Sequence, residues 1–85
     1  MAVVEQIRER LVAAFSPQEL DVIDESEKHH GHGGWREEGE THFRVRMRAA
    51  ELAPRTRLER HRLVHAALGQ ELVARIHALA LDLDG

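Results

Sequence analysis

The stretch HFRVRMR, residues 42–48, alternates polar and apolar side chains at every step. Successive strand residues point to opposite faces of a sheet, so this period of two predicts a half-buried strand. Phe43, Val45 and Met47 are expected toward a core, with His42, Arg44, Arg46 and Arg48 on the opposite face. Working outward, LDVID (20–24) repeats the alternation with β-branched residues and predicts a partner strand. Before it, Val4, Ile7, Leu11, Val12 and Phe15 fall at helical spacing among Glu5, Arg8, Glu9 and Arg10, predicting a helix from Val3 to Phe15. Ser16-Pro17 ends it, because proline disfavours helical geometry in the residue before it.

Downstream, Thr56 is placed to cap a second helix whose apolar stripe is Leu63, Val64, Ala67, Leu68 and Leu72, reinforced by Leu58. Gly69 is where that helix would bend or divide. The tail RIHALALDLD (75–84) alternates with either parity apolar: Ile76, Ala78 and Ala80 on one face, His77, Leu79, Leu81 and Leu83 on the other. Such a strand is expected to be covered on both faces or to lie centrally in its sheet. The order α, β, β, α, β needs helices packed on one face of a three-stranded sheet, a two-layer α+β fold.

At 85 residues the chain is long enough for one domain, residues 1–85, with a small core. A net charge of -3 gives no overall attraction to nucleic acid or anionic membranes, so polyanion binding would need a local patch. With no cysteine, a disulfide scaffold, a thiol nucleophile and a self-sufficient thiolate metal site are excluded. No run of about 18 apolar residues is present, so a membrane span is not expected and the default location is cytoplasmic.

Residues 25–40 read as a long polar loop whose centre is HHGHGG (29–34). Imidazole is a common metal ligand, and this loop could supply one to three. His29 and His32, three apart, match no closed zinc site, so by itself the stretch reads as a hydrated loop with no bound ion. His77 stands before an apolar strand, where the alternatives are a core or strand-end histidine satisfied by a backbone carbonyl, and a ligand. Arg55, Arg57, Arg60 and Arg62 surround a helix start, and with strand residues Arg44, Arg46 and Arg48 they could form a basic face for phosphates. Glu37, Glu38, Glu40, Glu51 and Glu59 are available to neutralise it, and no aromatic residue interleaves to stack on bases. Trp35 could anchor a partner or be an incidental loop aromatic. Serine occurs only at Ser16 and Ser26, in no strand-turn-helix elbow, and no catalytic constellation is read.

DES (24–26), GETHFRV (39–45), RHRLVHAAL (60–68), EL (71–72) and HALAL (77–81) lie in the order and spacing of the BolA family, which the chain resembles over nearly its whole length. The resemblance implies an α-β-β-α-α-β fold similar to a class II KH domain, Gly69 marking the extra helix boundary. It also implies a non-enzymatic adaptor for a monothiol glutaredoxin, the two joined by a bridging [2Fe-2S] cluster in iron-sulfur cluster handling and iron sensing. The family's ligand ahead of the final strand matches His77. Its second ligand comes from the loop between the first two strands: matching the Gly-His step before GETHF selects His32, with His29 and His30 as alternates. The remaining ligands would be the glutaredoxin cysteine and glutathione, and the isolated chain, a monomer or weak dimer, is expected to bind no cluster. Because imidazole coordinates only when neutral, such a complex is expected to loosen below about pH 6.5. The resemblance implies an alternative too, a DNA-binding regulator of stress and morphology genes using the basic helix 55–68 through Arg55, Arg57, Arg60 and Arg62. His61 and His65 are read as helix residues, His61 being structural or at the partner surface.

Overall fold

The computed structural model describes residues 2–25 and 42–85. Helix α1 (Val3–Phe15) is followed by β1 (Glu19–Asp24), β2 (His42–Arg48), a 3₁₀ turn at Ala50–Leu52, α2 (Arg57–Leu68), α3 (Gln70–Ala74) and β3 (Ala78–Asp84). The sheet order is β1-β2-β3, with β1 antiparallel and β3 parallel to β2. A parallel neighbour requires a crossover of a dozen or more residues, which α2 and α3 supply.

The core lies between one face of the sheet and the helices. Val22, Phe43, Val45 and Met47 project from the sheet against Val3, Ile7 and Leu11 of α1, Val64 and Leu68 of α2, and Leu72 of α3. Two apolar residues assigned to helical stripes are outside it: Val12 is 48% and Leu58 is 58% exposed. In α1 the buried line is Val3, Ile7 and Leu11, a four-residue step that turns Val12 toward water.

On the opposite face the arginines of β2 stand between two acidic strands. The register sets Glu19 and Asp84 beside Arg48, and Asp21 and Asp82 beside Arg46. Arg46 contacts Glu19 at 3.3 Å and Asp21 at 3.5 Å, Arg48 contacts Asp82 at 3.0 Å, and Arg44 contacts Glu25 at 3.1 Å. These partners differ from the glutamates expected from the sequence, because strand register brings together charges distant in the chain. Of those glutamates, Glu37, Glu38 and Glu40 lie outside the described residues. The Arg46 guanidinium is held above its ordinary pKa, first by the hydrogen bond to Glu19.

β3 is an edge strand and not a central one. Leu79, Leu81 and Leu83 lean on the core while remaining half-buried, and Ala80 is half-buried on the other face. An Ala/Leu alternation reads as apolar in both parities, so hydropathy alone could not place it.

Thr56 caps α2 through a reciprocal pair: the Glu59 N–H donates to Thr56 Oγ1 at 3.2 Å, and the Thr56 N–H donates to Glu59 Oε1 at 2.9 Å. That second bond is the first cause of the lowered Glu59 pKa, with Arg55 and Arg62 adding to it. Gly69 separates α2 from α3 at φ 85°, ψ 150°. Only glycine adopts this region readily. A Cβ there would also lie 3.2 Å from Arg10 Nη1, which donates to the Leu68 carbonyl. Gly69→Ala is therefore expected to cost about 1–3 kcal/mol, lowering Tm by about 4–8 °C for each kcal/mol in a domain of this size. Thermal denaturation followed by far-ultraviolet circular dichroism checks this, and an unchanged Tm would contradict it.

Candidate functional site

The site forms at the end of the sheet where β2 and β3 begin. Parallel pairing aligns His42 with Ala78, so the residue ahead of β3, His77, falls beside the first residue of β2. The two imidazole rings meet with centroids 5.0 Å apart and planes tilted by 57°. His42 is only 4% exposed, whereas His77 is exposed. His42 has the parity of Arg44, Arg46 and Arg48, as alternation predicts, but it is buried and in ring contact with His77, so its expected exposure is corrected.

His77 likewise does not join the face of Leu79, Leu81 and Leu83 with which its parity grouped it. It precedes β3 and lies outside the ladder, so the pleat does not dictate its direction. Its neighbours in the chain are fixed: the Ile76 N–H donates to the Val73 carbonyl at 3.1 Å, the Ile76 side chain is buried, and Ala78 enters the β3 register. A short, anchored backbone thus presents an exposed imidazole. The reading of His77 as a buried core histidine is excluded.

The Glu25 N–H donates to the His42 carbonyl at 2.7 Å, tying the end of β1 to the start of β2. Glu25, His42, Phe43, Arg44, Ala78, Leu79 and Ala80 line a shallow hollow there. His29, His30, His32 and Trp35 lie outside the described residues, in the chain segment between Glu25 and His42. Among the described residues no group of three or more histidines, cysteines, aspartates or glutamates is close enough to hold a metal ion. A metal centre that used His77 would need its other donors from beyond these residues.

The expected basic face divides in two. Arg55, Arg57 and Arg62 are exposed at the start of α2. Arg60 points inward: Nε donates to the Leu52 carbonyl at 2.8 Å, Nη1 to the Leu83 carbonyl at 3.1 Å and Nη2 to the Ala53 carbonyl at 3.3 Å, with Asp84 at 3.4 Å. Its side chain is 19% exposed and each of its three nitrogens has a partner, so Arg60 is corrected from a phosphate-facing residue to a clamp joining the 3₁₀ turn, α2 and the end of β3. His61 is half-buried and lines a hollow with Arg57, Arg60, Leu81, Asp82 and Leu83, while His65 is exposed.

The sequence profile of the BolA-like protein family matches residues 11–84. The chain belongs to the BolA family. It is 40% identical over 81 residues to the DNA-binding transcriptional regulator BolA of Escherichia coli, an alignment covering 95% of this chain and 73% of that protein. The BolA domain of SufE1 from Arabidopsis thaliana superimposes with a TM-score of 0.80 at 36% identity, covering 95% of this chain and 88% of that one. BolA1 from the same plant gives a TM-score of 0.79 at 34% identity over the same shares. The α-β-β-α-α-β order and mixed three-stranded sheet of this BolA-family chain match those structures.

The residue that sequence reasoning missed is His42. Its signal was parallel pairing, which sets the residue before β3 against the first residue of β2. Strand alternation alone marks position 42 as solvent-facing.

Proposed function

We propose that this BolA-family protein is a non-enzymatic adaptor that binds a monothiol glutaredoxin and contributes imidazole ligation to a shared [2Fe-2S] cluster. The observation that carries the reading is His77: an exposed ring on an anchored backbone, in a chain with no cysteine. Iron-sulfur clusters require thiolates for most positions, and histidine can take positions on one iron, raising the reduction potential. The donor set therefore fits a shared cluster and not one held by this chain alone. His77 would be one ligand and a histidine of the 26–41 segment another, His32 by family resemblance with His29 and His30 as alternates. The glutaredoxin cysteine and glutathione would complete the set.

Titration of a cluster-loaded monothiol glutaredoxin, with glutathione, by the wild-type chain tests the proposal through visible circular dichroism. A new spectrum saturating at one chain per glutaredoxin is expected. An unchanged spectrum with a competent glutaredoxin would reject it.

A second reading, duplex DNA binding, is favoured by the name of the Escherichia coli relative and the exposed Arg55, Arg57 and Arg62. With Arg60 committed internally, these three residues can neutralise about three phosphates, which predicts a log Kd against log salt slope of magnitude about 2.7. Fluorescence anisotropy between low and physiological salt measures it. A salt-independent affinity would remove this reading.

A further inference from the structure

We propose that His42 is a positioning residue for His77: its buried ring forms the wall against which the exposed His77 ring is held, fixing the direction in which His77 presents its nitrogen. Three observations support this. The rings are in contact, with centroids 5.0 Å apart and planes tilted by 57°. Their exposures are opposite, His42 being 4% exposed and His77 exposed, so one ring is part of the frame and the other stands on it. The backbones are also locked in register: His42 pairs with Ala78, and its carbonyl accepts from the Glu25 N–H at 2.7 Å. His77 lies outside the β3 ladder, so its backbone alone leaves the side-chain torsions several staggered choices. A ligand side chain that samples several rotamers loses affinity when it must adopt one, and a fixed neighbour removes much of that cost. The burial of His42 assigns it to support and leaves the metal-facing role to His77.

As far as it concerns a cluster, the inference rests on the proposed function, but the positioning itself is measurable in the free protein. Side-chain couplings and ring relaxation of His77 are recorded by NMR in wild type, His42→Ala and His42→Phe. One dominant His77 rotamer is expected in wild type and His42→Phe, where an aromatic wall remains, and rotamer averaging in His42→Ala. Averaging already present in wild type, or a His77 ring indifferent to His42→Ala, would overturn the proposal. Should the alanine variant fail to fold, His42→Leu supplies a folded variant with an apolar but non-aromatic wall, for which partial averaging is expected. In the glutaredoxin complex, His42→Ala is expected to weaken cluster sharing about tenfold, the order seen when outer-sphere support is lost, with rescue by His42→Phe. Loss of the cluster spectrum in both variants would instead make His42 a ligand and overturn the positioning role. No cluster spectrum with wild type would reject the proposed function while the NMR result still decides the contact.

Discussion

His77→Ala is expected to abolish the visible circular dichroism of the mixed cluster complex while leaving the fold intact. The side chain is exposed and precedes β3, so truncation removes little buried surface and no ladder bond. Surface substitutions of this kind ordinarily change stability by less than about 0.5 kcal/mol. Loss of a metal ligand has no such tolerance, because neither Ala78 nor the buried His42 presents an exposed donor in its place. The expected result is a far-ultraviolet spectrum and Tm like wild type, together with complete loss of the heterocomplex signal. A heterocomplex spectrum retained in His77→Ala would remove His77 from the ligand set.

Arg60→Ala is expected to have the opposite character, damaging the fold and leaving the exposed arginines in place. Three carbonyls, of Leu52, Ala53 and Leu83, accept from one guanidinium. Hydrogen bonds to a charged donor contribute roughly 1.5–3 kcal/mol each when well shielded. Solvent reaches this side chain in part, so about 2–3 kcal/mol in total is expected. Arg60→Lys should recover less than half, since an ammonium cannot reproduce a fork aimed at three separated oxygens. Urea denaturation measures both variants, and a wild-type midpoint for Arg60→Ala would contradict the clamp. The pH dependence carries the same signature. The Asp84 carboxyl is held below its ordinary pKa, first by the Gly85 N–H at 2.8 Å and then by Arg60. A carboxyl lowered in the folded state contributes stability above its ordinary pKa that is lost as pH falls through the lowered one. Arg60→Ala should therefore show a shallower acid loss than wild type.

Much of this architecture was legible from local pattern. The bounds of β2 follow from strict alternation over HFRVRMR, and those of α1 from a helical stripe stopped by Ser16-Pro17, where Ser16 turns left-handed at φ 45° to accept the chain reversal. Glycine at position 69 marks a division that the backbone realises at positive φ. What pattern could not supply was pairing. The identity of the ion-pair partners, the edge position of β3 and the contact of His42 with His77 all depend on which strands lie side by side and in which register. Arg60 shows the same limit: beside Arg55, Arg57 and Arg62 it looks like one of a basic cluster, and only the return of β3 to the 3₁₀ turn reveals the carbonyls that it binds. Its place before a strongly apolar strand marked His77 for notice and the family resemblance gave it a ligand role, whereas its contact with His42 depends on the parallel register.

The most direct measurement is electron–nuclear double resonance on the reduced mixed complex, assembled from unlabelled glutaredoxin and this chain labelled with ¹⁵N at histidine. A strongly coupled ¹⁵N signal in wild type that is lost in His77→Ala is the expected result, since only an imidazole bound to the cluster iron would carry that coupling. A complex with no strongly coupled ¹⁵N, or one whose coupling is indifferent to His77→Ala, would contradict ligation by this histidine.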